Sequence, residues 1–201
     1  MTTTAFTTKD IQDLRQRTGA GMMDAKKALT DANGNMDKAA ELLRTRGVAK
    51  AEKRASKVAG EGFVGSYIHH NGKLGVIVEL NCETDFVARN PEFRELAAEL
   101  AKHIAAANPV SVDKDGVPAE VIERERRIFE EQVKASGKPE HLIQKIVDGK
   151  VESFYRDVSL LHQEYVRDPK KKVGDLISEL SAKVGEKIAV RRFARFQVGE
   201  E

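Results

Sequence analysis

The sequence predicts an α+β protein in which a small helical head precedes a core of antiparallel β-sheet packed with helices. Apolar residues recur at helical spacing three times within the first 45 or so positions, which predicts three short helices. Two strand-like segments then flank Asn71-Gly72, and a third strand pattern follows at 188–198 after several helical stretches. The predicted divisions are a head at 1–48, a linker at 49–60 and a core at 61–201.

Local signals place the helices of the head. Thr8 can cap a first helix, which the glycine-rich stretch 19–21 ends. A second helix is expected from about Met22 to Ala32, and Asn35 can cap a third. Because the core of such a bundle is small, the head is expected to be only modestly stable alone, which favours a role in recognition.

A hairpin is the clearest local signal of the core. Segments 63–70 and 73–81 are rich in Val, Ile and Tyr, and the Asn71-Gly72 dipeptide between them favours a two-residue type I′ turn. A two-stranded sheet is marginal alone, so the segment 188–198 is expected to return and complete it. The run 168–172 is interpreted as a solvated turn.

Helices are predicted between these strands. Asn90 as cap and Pro91 in the first turn begin one that should cover a face of the sheet. Pro118 and Pro139 can open two more, and further helical patterns follow at 151–161 and 173–184. The three arginines within 191–196 are expected on the open face of an edge strand.

Composition excludes several classes of function. The chain has 34 basic and 32 acidic residues, a net charge of +2, so a nucleic-acid binder that uses Arg191, Arg192, Arg195 and the lysines at 170–172 is disfavoured. A signal peptide and a membrane-spanning run are not recognisable, so a cytoplasmic protein without membrane contact is expected. The five histidines lack metal-ligand spacing, and we expect neither a metal nor a cofactor.

The segment 14–29, LRQRTGAGMMDAKKAL, is the first candidate functional segment. A phosphate loop is disfavoured because no strand precedes the glycines and the GxxxxGK[ST] spacing is missing. Consecutive helical residues cannot both point inward, so at least one of Met22 and Met23 should be exposed. Exposed methionine suits an adaptable partner surface, and a docking role together with nearby Arg15 is expected.

The segment 79–90, ELNCETDFVARN, is the second candidate. From the residues alone, Phe86 at this junction is more often a core anchor than a contact, and Asp85 more often a local turn acceptor. Glu83 with Asp85 could form an acid/base pair, and Cys82 a thiol dyad with a histidine, but no nucleophile or metal set completes a catalytic site. A non-enzymatic protein with a buried structural Cys82 is therefore favoured.

Together, these two segments resemble motifs of the bacterial elongation factor Ts family, and the similarity continues through SGKP at 136–139 and VSLLHQEYVRDPKKKVGDLI at 158–177. The resemblance implies a ubiquitin-associated-like head that docks on the GTPase elongation factor Tu. It also implies a turn that intrudes near the nucleotide's magnesium and phosphate site. The partner-binding residues it implies are Arg15, Met22, Met23, Thr84, Asp85, Phe86 and Val87, with Lys53 and His69 as weaker transfers.

The implied function is guanine-nucleotide exchange in translation elongation, by binding the nucleotide-free GTPase and inserting the Asp85-Phe86 turn. The alternative is a passive protein-binding adaptor without exchange activity. Long family members contain two core repeats and a further C-terminal helix, whereas a single core is recognisable here. This difference implies a homodimer and a two-plus-two complex. The dimer would be noncovalent because the C-terminal half has no cysteine.

Overall fold

The protein is mixed α+β in the computed structural model, which describes residues 6–54 and 56–200, with the side chains of 48–54 outside the description. This confirms the predicted fold class. Within the described residues the helices are α1 (Thr8–Thr18), α2 (Met22–Asp31), α3 (Met36–Arg54), α4 (Asp85–Ala88), α5 (Pro91–Ala107), α6 (Ala119–Ala135), α7 (Glu140–Val158) and α8 (Val173–Val184). The strands are β1 (Glu61–Ile68), β2 (Leu74–Cys82), β3 (Glu164–Tyr165), β4 (Asp168–Lys172) and β5 (Ala189–Gln197).

Helices α1 to α3 form the predicted head around a small apolar core. Thr7, one residue before the predicted Thr8, caps α1 through a reciprocal pair of hydrogen bonds with Asp10. The predicted Asn35 cap is confirmed, since its side-chain oxygen accepts from the backbone N–H of Lys38 at 2.9 Å. The buried core residues are Ile11, Leu14, Ala25, Ala28, Leu29, Ala32 and Ala39.

The main sheet is antiparallel and has the strand order β1-β2-β5, so the late strand pairs with the second strand of the hairpin. The predicted type I′ turn is wrong. That turn requires positive φ at both central residues, whereas among the described residues Gly72 is at +68° and Asn71 is not in this region. The carbonyl of His69 accepts from the N–H of Gly72 at 2.8 Å, and a longer loop connects the two strands.

Gly65 allows β1 to approach α5 closely. A Cβ at this position would lie 2.8 Å from the backbone oxygen of Ala97, so a larger residue would push strand and helix apart. Leu100 and Ile104 on α5 are fully buried. The predicted cap of this helix is confirmed, because the side-chain oxygen of Asn90 accepts from the N–H of Glu92 at 2.9 Å.

Helices α6 and α7 pack side by side around a separate small core, centred on Val133, Val147 and Val151. Helix α7 is continuous through Val158, where the sequence suggested a new helix near residue 151. The interpretation of 168–172 as a turn is wrong. This segment is strand β4, and it pairs with β3 through Glu164 opposite Lys172.

The chain divides into two compact units. The first contains the described part of Met1–Phe63 together with Asn81–Arg94 and Leu176–Ala189. The second contains Val64–Leu80 and Glu95–Asp175 with the strand residues that follow Ala189. The head, helix α4 and the end of α8 thus belong to the first unit. The predicted division into head, linker and core stays a prediction.

No helix among the described residues combines the length and the apolar character needed to cross a bilayer.

Candidate protein-binding site

The residues Thr84–Ala88, named here the 84–88 turn, form a single helical turn between β2 and α5. Backbone hydrogen bonds close it, from the N–H of Ala88 to the carbonyl of Thr84 at 3.2 Å and from Arg89 to Asp85 at 3.0 Å. Val87 and Ala88 are buried and anchor its far side. The backbone of the turn is therefore fixed by hydrogen bonds, and its C-terminal residues Val87 and Ala88 are anchored by burial.

Phe86 extends from this turn into solvent, with 83% of its surface exposed. The interpretation of Phe86 as a core anchor, which the residue pattern alone favoured, is wrong. Complete burial of such a side chain is worth about 1.5–3 kcal/mol, and the free protein forgoes this stabilisation. An aromatic residue presented in this way is available to a partner.

The carboxylates of Asp85 and Glu83 bond to different partners. The half-exposed carboxylate of Asp85 pairs with the guanidinium of Arg89 at 3.0 Å. One carboxylate oxygen of Glu83 accepts from the backbone N–H of Lys187 at 2.7 Å, and the other lies 2.9 Å from the ammonium group of Lys57. The Glu83 carboxylate thus joins separate segments of the chain.

Glu186 holds the N-terminal side of the 84–88 turn, and sequence reasoning missed it. One carboxylate oxygen accepts from the backbone N–H groups of Glu83 at 3.1 Å and Thr84 at 3.0 Å. The other accepts from the hydroxyl of Thr84 at 2.6 Å. The available signal was an acidic residue between α8 and β5, but sequence alone does not show which distant segment such a residue binds.

Cys82 is completely buried at the end of β2, as predicted for a structural cysteine. Its thiol donates a hydrogen bond to the carbonyl of Thr84 at 3.1 Å. Burial, with a smaller contribution from the charge of Glu186, raises the pKa of Cys82 to about 11. The thiol is therefore protonated at neutral pH and acts as a further support of the turn rather than as a nucleophile.

The head presents the predicted methionine surface. Met22 is 42% exposed and Met23 75% exposed at the start of α2, so the expectation that at least one would be exposed is confirmed. Arg15 is also exposed, near the end of α1. Between the two helices, Gly19 adopts φ +68°, which favours glycine because it has no Cβ.

His69 and Lys53 are not brought to this site by any described contact. His69 lies at the hairpin tip in the second unit, where its Nδ1 is 2.8 Å from the hydroxyl of Tyr67. The centroid of its ring lies 4.2 Å from that of His70, with the two rings tilted by 55°. The side chain of Lys53 lies outside the described residues. The other predicted contacts, in the head and in the 84–88 turn, belong to the first unit.

The arginines of β5 differ from the expectation of a uniformly open face. Arg192 is exposed and pairs with Glu79 at 2.7 Å. Arg195 has only 11% of its side chain exposed and bonds to Glu200 and Gln197, whereas Phe196 beside it is exposed. Across the described residues, His, Cys, Asp and Glu side chains do not cluster in threes suited to a metal ion.

The fold and the turn define a class of protein, an α+β factor in which a three-helix head precedes a sheet-and-helix core and an aromatic side chain is presented on a fixed turn. A family model described as Elongation factor TS matches residues 2–200. The chain belongs to the elongation factor Ts family, a family of exchange factors in translation elongation and protein biosynthesis.

The sequences of curated relatives match this chain over almost their whole length. The chain is 55% identical to an elongation factor Ts of Thermosipho melanesiensis over 192 residues, 96% of this chain and 98% of the relative. It is 53% identical to that of Oleidesulfovibrio alaskensis over 195 residues, 97% of this chain and 98% of the relative. It is 54% identical to that of Fervidobacterium nodosum over 190 residues, 94% of this chain and 96% of the relative.

Proposed function

We propose that this chain is the guanine-nucleotide exchange factor of elongation factor Tu and that it inserts the Asp85-Phe86 pair of the 84–88 turn near the magnesium and phosphate site of the GTPase. The observation that carries the proposal is the exposure of Phe86 on a turn whose base is buried. Family membership supports the partner and the process. The action is binding without a chemical step, in the cytoplasm where translation elongation takes place.

Exchange follows from differential affinity. A factor that binds the nucleotide-free GTPase more tightly than the GDP-bound form must weaken GDP binding by the same factor. Burial of Phe86 in a pocket that opens only when nucleotide leaves would contribute about 1.5–3 kcal/mol, or roughly ten- to a hundredfold in affinity. This is insufficient alone, so other contacts must add affinity.

The head supplies affinity common to both states of the GTPase. Met22 and Met23 give it an exposed, adaptable apolar surface, and Arg15 adds a charge nearby. In this division of roles, the head binds the GTPase in both states, and the turn favours the nucleotide-free state over the GDP-bound state. Variants of the two sites should therefore alter different kinetic parameters.

Stopped-flow release of a fluorescent GDP from the GTPase, measured over a range of factor concentrations, tests this division. Asp85→Ala with Phe86→Ala should lower the maximal release rate by about tenfold or more, with a smaller change in the half-saturating concentration. Met22→Ala with Met23→Ala is the matched head variant and should mainly raise that concentration. Unchanged maximal release by the Asp85/Phe86 variant would refute insertion of the turn, whereas a wild-type chain that binds the GTPase without accelerating release would be a passive adaptor.

The open face of the main sheet supports a noncovalent homodimer. Ile68, Ile77, Phe196 and Val198 are exposed and line one groove of about 560 Å³ at the hairpin end of the second unit. Such a patch is typical of an association surface. A second copy fits the proposal because two single-core chains would supply the two cores of the long family members. The one cysteine of the sequence is buried and not available for a link between copies.

Sedimentation equilibrium tests this dimer and its two-plus-two complex with the GTPase. Phe196→Asp should raise the dimer dissociation constant by about tenfold or more, since it places a charge in an apolar interface. Val58→Asp is the control, because Val58 is an exposed apolar residue outside the groove. A wild-type chain that sediments as a monomer at all concentrations would refute the dimer.

A further inference from the structure

Two glutamates connect the segment before the 84–88 turn with the segment after α8. Glu186 accepts three hydrogen bonds, from the backbone N–H groups of Glu83 and Thr84 and from the Thr84 hydroxyl. Glu83 reciprocates by accepting from the backbone N–H of Lys187. We name Glu83, Thr84, Glu186 and Lys187 the carboxylate clamp.

We propose that Glu186 is a positioning residue for nucleotide exchange, and that it acts through the clamp to fix the direction in which Phe86 is presented to the GTPase. This inference rests on the exchange function proposed above. Glu186 is not proposed to touch the nucleotide or its magnesium. Its role is to hold Thr84, two residues before Phe86.

The position of the Thr84 hydroxyl identifies the clamp as the element that shapes the turn. Thr84 occupies the N-cap position of α4, with extended backbone dihedrals of φ −128° and ψ 157°. A threonine there ordinarily accepts from an N–H of its own helix, but this one makes no such bond and donates to Glu186 at 2.6 Å. The Thr84 hydroxyl therefore bonds to a residue 102 positions later in the chain instead of to its own helix.

The two sides of the turn have different kinds of support. On the C-terminal side, Val87 and Ala88 are buried, and the guanidinium of Arg94 donates to the carbonyl of Ala88 at 3.3 Å. On the N-terminal side, Cys82 is buried, but Glu83 and Thr84 are partly exposed and depend on polar contacts. Loss of Glu186 should therefore release this side while the apolar anchors remain.

Charge-assisted hydrogen bonds give the clamp sufficient strength for this role. Hydrogen bonds to a carboxylate are about twice as strong as neutral ones, and three of them converge on Glu186. Glu83 is held from a second direction by the ammonium group of Lys57 at 2.9 Å, and Lys187 in turn donates to the carbonyl of Lys57 at 2.9 Å. The clamp is therefore also bonded to the segment that follows the head.

The test compares Glu186→Ala with wild type in the same fluorescent-GDP assay, using the full chain. We expect the maximal release rate to fall on the order of tenfold, with the half-saturating concentration changed less than about threefold. Glu123→Ala, which removes an exposed carboxylate from α6, is the control and should match wild type. Thermal unfolding of each variant, followed by circular dichroism, verifies that the release assay compares folded proteins.

Two further variants separate positioning from a general structural effect. In Glu186→Gln the amide oxygen can accept both backbone N–H groups and the amide nitrogen can donate to the Thr84 hydroxyl, so we expect most of the release rate to return. In a Phe86→Ala background, Glu186→Ala should cause no further loss, since there is no longer a Phe86 to position. Additive losses, or a Gln variant as slow as the Ala variant, would overturn the inference.

The release rates of Phe86→Ala and Glu186→Ala distinguish the exchange role of the turn from the positioning role of Glu186. If Phe86→Ala releases GDP as fast as wild type, the exchange role of the turn is wrong. If Phe86→Ala is slow but folded Glu186→Ala is as fast as wild type, only the positioning role of Glu186 is wrong.

Discussion

The ammonium group of Lys183, at the end of α8, lies 2.5 and 2.6 Å from the two carboxylate oxygens of Glu92 in the first turn of α5. The aliphatic stem of the same lysine lies against Gly19 of the head, where a Cβ would be 3.1 Å from its Cδ. One side chain thus contacts both the glycine turn beside the methionine surface and the helix that follows the 84–88 turn. Both contacts lie within the first compact unit.

Lys183→Met should separate the charge of this contact from its packing. Both partners of the ion pair are more than two-fifths exposed, so its loss should lower the free energy of unfolding by no more than about 1 kcal/mol. Methionine keeps an unbranched stem that can still pack on Gly19. The difference from wild type in urea denaturation should shrink at about 1 M salt, where charges are screened within roughly 3 Å. A large, salt-independent loss would contradict this division.

Gly65→Ala and Gly149→Ala should change stability in opposite directions. At Gly65 the new methyl group would meet the backbone of Ala97 at 2.8 Å, and we expect a loss of about 1–3 kcal/mol from the overpacked contact. At the exposed Gly149 within α7 a Cβ would meet nothing within 4 Å, and alanine should stabilise the helix by about 0.5–1 kcal/mol. Denaturation midpoints measure both. Equal shifts of one sign would refute the packing explanation.

His103 should make stability fall as the pH is lowered from about 7 to 5. Its ring is fully buried, and burial lowers its pKa, with a smaller opposing effect from the hydrogen bond to Gln163. Nδ1 accepts from the N–H of Val166 at 3.4 Å, so Nε2 carries the proton and donates to Gln163 at 2.9 Å.

The sign follows from proton binding. Below the ordinary histidine pKa of about 6.5 the unfolded chain takes up a proton that folded His103 does not. The free energy of unfolding therefore decreases as the pH is lowered. In denaturation experiments across this pH range, the free energy of unfolding should change less steeply with pH for His103→Gln than for wild type. His141→Gln, which changes an exposed histidine on α7, is the control. An unchanged slope in the His103 variant would contradict the prediction.

Cys82 should react slowly with a thiol reagent in the folded protein and rapidly in denaturant. Its sulfur is inaccessible, and burial raises the pKa of the thiol to about 11, so little thiolate exists at neutral pH. Because the sequence contains one cysteine, the reaction reports on this position alone. The absorbance of the thiol that the reagent releases measures the rate of Cys82 modification. Fast modification of the native chain would show that the end of β2 opens readily.

Features with local causes could be predicted from the sequence. Asn35 and Asn90 were assigned as caps because an N-cap bond involves residues two or three positions apart. Helical geometry alone predicted that at least one of Met22 and Met23 is exposed, and both are. By contrast, the residue pattern favoured burial of Phe86, which is wrong, because an aromatic residue between a strand and a helix is compatible with either burial or exposure. Only the family resemblance favoured exposure.

Features that depend on contacts between residues far apart in the sequence were not predicted. The charged run 168–172 forms β4 because its backbone pairs with β3, and backbone pairing tolerates exposed lysines on an open strand. The turn at Asn71-Gly72 was assigned a two-residue geometry from a dipeptide preference, but the chain places only the glycine at positive φ. Glu186 was missed because its partners lie more than 100 positions earlier.

The hydrogen bond from Thr84 to Glu186 also has a consequence for the order of events during synthesis. A nascent chain contains its methionine surface and Phe86 long before it contains Glu186, and the bond spans 102 positions. The head can therefore fold early from local contacts, whereas the turn acquires its final shape only after the segment beyond α8 has left the ribosome. Formation of the final 84–88 turn is thus a late step in the production of the chain.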